Sequence, residues 1–186
     1  GMAIGDAMGY PVDTRDISQI RTDYGPNGIL GYDLVNGYAD ITSHTQLAAF
    51  SANGLLLGTP ESYTESIARA YREWYKTQFE SFKNCNRRHT VCWLMNVPEL
   101  FAARAPGNTC LSAIEDGCCG SIQHPANNSK GCGGIMRVAP MALLDAGYAS
   151  RDEHTYSLEE LAEAGGEIAE VTHKHPLGFL PASLLT

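Results

Sequence analysis

Basic side chains are scarce in this sequence: 13 Lys and Arg stand against 21 Asp and Glu, a formal charge of -8. A general nucleic-acid or anionic-membrane surface needs clustered cations, so the balance points to a small solute or a protein surface instead. No apolar run approaches the roughly 20 residues that a membrane helix requires, and no basic start leads into an apolar core and cleavage site. The expected location is the cytoplasm, without membrane attachment. The six cysteines (Cys85, Cys92, Cys110, Cys118, Cys119 and Cys132) show neither CxxC spacing nor a paired framework, and read as reduced structural thiols. Sustained apolar and polar alternation is missing, as are Asn-Gly turns between such runs, internal repeats and low-complexity tracts. A sheet protein and a repeat architecture are thereby excluded.

What is present is helical patterning. With 186 residues and 44% hydrophobic side chains, the chain can bury one sizeable core, and one domain over 1–186 is expected. Gly1, Gly5 and Gly9 recur every four residues among Met2, Ala3, Ile4, Ala7 and Met8, which predicts a buried helix with a small-residue stripe for close packing. Residues 12–40 carry turn chemistry without periodicity and read as irregular loop. Thr42 or Ser43 can cap the next helix, whose Leu47, Phe50, Leu55 and Leu57 face inward until Gly58 stops it. Thr59-Pro60-Glu61 opens another, with Ile67, Tyr71, Trp74, Tyr75 and Phe79 at helical spacing as core. Residues 81–92 read as a solvated connector, and Pro98 starts a short helix to Ala103. Ser157 and Glu160 form a capping box ahead of Leu158, Leu161, Ile168 and Val171, and Gly165-Gly166 predicts a close helix contact. The expected fold is an all-α bundle with long functional loops. Both ends read as cut, the last one inside the apolar stretch GFLPASLLT.

The chemistry concentrates in NNSKGCGGIMRVAP, residues 127–140. Three glycines in four positions let backbone N–H groups approach a ligand, and a following helix start favours phosphate. Read from residues alone, an ordinary turn is the commoner use of such a cluster. His173 and His175 read alone as structural histidines, since H-x-H has no third ligand nearby in sequence. Cys132 with a histidine forms a conceivable thiol nucleophile, although nothing nearby in sequence lowers its pKa.

Five blocks in order resemble the ADP-ribosylglycohydrolase family: GMAIGDAMGYPVD, ADITSHTQLAAF, RAPGNTCLSA, NNSKGCGGIMRVAP and THKHPLGF. Together they span nearly the whole chain. The resemblance implies an all-helical fold and metal-dependent hydrolysis of the glycosidic bond between ADP-ribose and a modified side chain, or of a related ADP-ribosyl compound. The expected partners are ADP-ribose or an ADP-ribosylated protein. Carried over by position, Asp13 falls where the family has an acidic residue near the reacting ribose. Ser129, Gly131, Cys132, Gly133 and Gly134 carry over as the ligand loop, and His173 as a ligand-facing imidazole. Asp6 reads as buried, hydrogen-bonded structure. Lys130 and Arg137 either pair with phosphate or serve as a solvated and a structural cation.

The expected metal is magnesium, at Thr42, Ser43 and His44, and here the sequence departs from the family pattern. Magnesium wants charged oxygen ligands, which the family supplies from adjacent aspartates and a later Asp-x-Asp pair; this chain has Ser43 and His44 at the first and ends before the second. A family member, or a fragment of one, that binds an ADP-ribose-like ligand without cleaving it is therefore the alternative expectation.

Overall fold

The structure, a computed structural model, describes residues 1–118, 127–151 and 155–186. Among these the fold is all helical: α1 (Met2–Gly9), α2 (Ile17–Tyr24), α3 (Ser43–Leu57), α4 (Tyr63–Phe79), α5 (Asn108–Glu115), α6 (Ala139–Ala149), α7 (Leu158–Glu170) and α8 (Pro176–Leu185). Strands are absent among the described residues, apart from one isolated bridge between Val35 and Tyr38. No helix among them is long and apolar enough to cross a membrane. Cys119 lies outside the described residues.

The centre is the packing of α3 on α4. Thr42 caps α3 by accepting from His44 N, and Gly58 ends it, as the sequence predicts. Phe50, Ile67, Tyr71 and Trp74 are fully buried between the two helices. Close approach is possible because Gly54 has no side chain; a Cβ there would lie 2.8 Å from Ile67 Cα. One polar network threads this apolar core. Gln46 Oε1 accepts from Trp74 Nε1 at 3.0 Å and Gln78 Nε2 at 3.1 Å, while Gln46 Nε2 donates to the Leu100 and Ala102 carbonyls. A buried amide is tolerated because its partners replace water. Glu73 likewise accepts from Val91 N and Cys92 N, fastening the connector that follows α4.

The second layer is α7 on α8. A Cβ on Gly166 would stand 2.5 Å from Ser183 Oγ, and one on Gly165 would overlap Thr186, so the predicted close contact is present. Ser157 accepts from Glu160 N and Glu160 accepts from Ser157 N, closing the predicted capping box. Ser157→Ala is expected to lower stability by about 1 kcal/mol, read as a shifted denaturant midpoint with an unchanged slope.

Several local expectations are corrected. Helix α1 is not buried: only Ala7 is, and a Cβ on Gly1, Gly5 or Gly9 would meet nothing within 4 Å. Loop 12–40 contains α2, started by Asp16, which accepts from Ser18 N and Gln19 N while Gln19 Oε1 accepts from Asp16 N. Leu57, Phe79 and Leu158 face solvent, at 49%, 63% and 82% exposure. Phe79 instead packs against Tyr75, with ring centroids 4.7 Å apart and the planes tilted by 43°. The helix at Pro98 stops at Leu100 as one 3-10 turn.

Candidate functional site

Four separate segments meet in one cleft of about 250 Å³. Ser43, His44 and Leu47 of α3 form one wall. Gly107, Asn108, Thr109 and Cys110 at the start of α5 form another. Gly131, Cys132, Gly133 and Met136 supply the glycine loop, and His173 lies between loop and core. Each segment is held by identifiable bonds.

The α3 end is fixed from below. Asp6 of α1 accepts from Thr42 N (2.8 Å), Thr42 Oγ1 (2.7 Å) and Thr45 Oγ1 (2.6 Å), with Thr45 N at 3.4 Å. Burial alone would raise the Asp6 carboxyl, but the Thr42 and Thr45 donors, helped by His44, hold it below its usual value. His44 Nδ1 lies 3.9 Å from Asp6 Oδ1. Ser43 N donates to Arg104 O at 2.7 Å and its hydroxyl to Ala105 O at 3.3 Å, which ties the α5 approach to α3. Ala105 takes a left-handed φ of 49°, a conformation that costs a non-glycine residue about 1 kcal/mol or more and persists where the surroundings dictate it.

The glycine loop is fastened by Asn127 and Ser129. Asn127 Nδ2 donates to Thr172 O at 2.9 Å, and its Oδ1 accepts from Ser129 N and Lys174 N. Ser129 Oγ meets Thr109 Oγ1 at 3.0 Å and accepts from Gly131 N. The glycines are demanded by their neighbours. A Cβ on Gly133 would stand 2.9 Å from both His173 Nε2 and Cε1, and one on Gly134 would lie 2.7 Å from Gly178 O and 2.9 Å from Ala169 Cβ. The loop then enters a 3-10 helix, Cys132–Arg137, before α6 begins. Lys130 is exposed, whereas Arg137 is buried.

His173 is only 2% exposed. Its Nδ1 is turned away from the loop, 2.9 Å from Thr172 Oγ1 and 3.1 Å from Arg137 Nη2. Burial, with Arg137 nearby, pushes its pKa down to about 4, so the ring is neutral at neutral pH.

Of the residues expected at the site, Ser43, His44, Gly131, Cys132, Gly133 and His173 line this cleft. Thr42, Ser129 and Gly134 stand just behind it, as cap, loop anchor and packing contact. Asp13 is not among them. It is exposed at the end of the turn after α1, beside Tyr10 and Arg15, which with Asp33 and Asp40 line a separate hollow of about 350 Å³. Asp40 pairs with Arg104. Sequence reasoning passed over the anchoring role of Asn127, although its place two residues before Ser129 is the signature of an Asx turn.

Comparison with known families decides the relationship. The family model for ADP-ribosylglycohydrolase matches residues 1–186. The chain belongs to the ADP-ribosylglycohydrolase family. No curated protein and no solved structure matches it.

Members of this family are expected to hold magnesium at the α3 start, and the donors present here do not fit that ion. The Thr42 and Thr45 hydroxyls donate to Asp6 and the Ser43 hydroxyl to Ala105 O, and the lone pairs they keep make them only weak, neutral ligands where the ion wants carboxylates. Among the described residues, no three His, Cys, Asp or Glu side chains converge as a metal group. Magnesium requires near-octahedral oxygen ligation dominated by carboxylate and water, and a single carboxylate already accepting four hydrogen bonds is a poor start.

Proposed function

We propose that this ADP-ribosylglycohydrolase-family chain binds ADP-ribose, free or as a protein modification, in the cleft between α3, α5, the glycine loop and His173. The observation that carries this reading is the convergence of the second, third, fourth and fifth family-like sequence blocks on that one cleft, with the first block's Asp6 supporting it from beneath. Backbone N–H groups of a glycine loop suit phosphate oxygens, and a neutral imidazole suits a ribose or phosphate oxygen. The α3 donors argue for a binding mode that does not depend on magnesium, and for a chain that does not itself cleave the ADP-ribosyl bond.

Calorimetry with ADP-ribose tests the first part. Weak binding, in the high micromolar to millimolar range, is expected with equal heats in magnesium and in EDTA. No heat at millimolar ligand would sink the reading. Release of ADP-ribose from arginine- or serine-modified protein tests the second part. None is expected, and magnesium-dependent turnover would overturn the claim that these residues do not cleave.

A further inference from the structure

Arg137 is completely buried, yet none of the ion pairs among the described residues involves it. Its Nη2 donates to Thr172 Oγ1 at 2.5 Å and lies 3.1 Å from His173 Nδ1 and 3.6 Å from Cys110 Sγ. Its guanidinium carbon stands 5.1 Å from the centroid of the Tyr71 ring, a cation–π contact. Nε and Nη1 find no acceptor among the described residues. A buried cation without a carboxylate is costly. The place where this one makes its closest side-chain contacts is the back edge of His173.

The guanidinium decides the proton arrangement at that edge. A guanidinium carries donors and no acceptor, so His173 Nδ1 facing it must accept. Thr172 Oγ1, which accepts from Arg137, lies 2.9 Å from Nδ1 and can turn its own hydroxyl proton towards it; the single lone pair of Nδ1 is then shared between the two donors. The one ring proton of the neutral imidazole must sit on Nε2, the atom turned towards Gly131 and Gly133.

We propose that Arg137 is a positioning residue: with Thr172, it fixes His173 as the neutral Nε2–H tautomer, so that the imidazole meets the cleft only as a hydrogen-bond donor. The ligand atom it suits is an acceptor oxygen, of a phosphate or a sugar, and a donor group such as an ammonium is refused. The identity of that ligand rests on the ADP-ribose reading; the tautomer does not. The groups facing His173 are Arg137 behind it, Cys110 of α5 and Tyr71 of α4 beyond Arg137, the loop glycines with the Cys132 thiol between them in front, and His44 across the cleft. None of these is a carboxylate that would stabilise an imidazolium. The donor role consequently persists through mildly acidic pH.

Long-range proton–nitrogen NMR of the 15N-labelled chain tests this, with His173 identified by the signal lost in His173→Gln. A protonated Nε2 and an unprotonated Nδ1, unchanged between pH 5 and 8, are expected. A protonated Nδ1, or a titration midpoint near 6.5, overturns the proposal. Arg137→Gln keeps an N–H donor and removes the charge, so the tautomer should persist while the midpoint rises by at least about one pH unit. Arg137→Lys should restore the low midpoint. A wild-type midpoint in Arg137→Gln would remove Arg137 from the role. If neither variant folds, the wild-type tautomer and midpoint still decide the question. Addition of ADP-ribose separates the two readings. An Nε2–H ring undisturbed by millimolar ligand sinks ADP-ribose and leaves the positioning role. Binding to an Nδ1–H ring does the reverse.

Discussion

Gly134→Ala is expected to destabilise the fold by about 3 kcal/mol, at the upper end of ordinary overpacking costs. The added methyl would meet the Gly178 carbonyl at 2.7 Å and Ala169 Cβ at 2.9 Å. Neither neighbour can swing aside, since one is backbone of α8 and the other a fully buried alanine of α7. Relief requires the loop to lift from the α7–α8 pair, which also moves its ligand-facing residues. For a chain of this size, the change corresponds to a melting temperature lower by roughly 6–12 °C. Gly5→Ala is the matched control. An added Cβ there meets nothing within 4 Å, and the better helix propensity should raise stability by up to about 1 kcal/mol. Equal melting temperatures for wild type and Gly134→Ala would show that the loop is not seated on α7 and α8.

The second large effect is acid lability traceable to one histidine. Folded His173 is pushed down to about 4 from the ordinary 6.5, so on acidification the unfolded chain takes up its proton first. The stability concerned is fully present above about pH 6.5 and is lost as pH falls towards 4. At about 1.4 kcal/mol per pH unit, the loss across that window is about 3 kcal/mol. Glu170, held above its usual range by burial, and the more exposed Glu167, raised by partial desolvation and the neighbouring Glu163, act in the opposite sense. The informative measurement is therefore a difference: denaturant midpoints at pH 7 and pH 4 for wild type and His173→Gln. Wild type should lose markedly more. Parallel losses would mean that His173 titrates normally in the folded state.

The sequence reveals elements whose signals are local. The capping box at Ser157 and Glu160, the Thr42 cap and the Gly58 stop each act within one turn, and each is present. The α2 signal was equally local, since Asp16 and Gln19 have capping-box spacing, but the turn residues around it masked the pattern. Glycine meaning was legible only where a partner helix existed. Gly165-Gly166 meets α8, whereas the regular Gly1, Gly5 and Gly9 spacing meets nothing, because periodicity records a stripe and not what packs on it. The same limit governs the site. Motif order drew attention to Ser43, His44, the glycine loop and His173, but only the fold puts them around one cleft. Asp6 reads from its motif as hydrogen-bonded structure, but its partners Thr42 and Thr45, 36 and 39 residues away, carry no sequence signal. Nor does the Arg137 contact with His173, also 36 residues apart.

The cysteines offer a practical handle on the cleft. Cys132 is exposed where the glycine loop borders it, whereas Cys85, Cys92 and Cys110 are buried. Burial also pushes the Cys85 and Cys92 thiols above their usual range, away from the reactive thiolate. A thiol reagent applied briefly to the native chain, with its adducts mapped by mass spectrometry, therefore footprints the cleft mouth at Cys132. Slower alkylation there in the presence of a test compound marks an occupant, with no need for turnover, a metal or an engineered label.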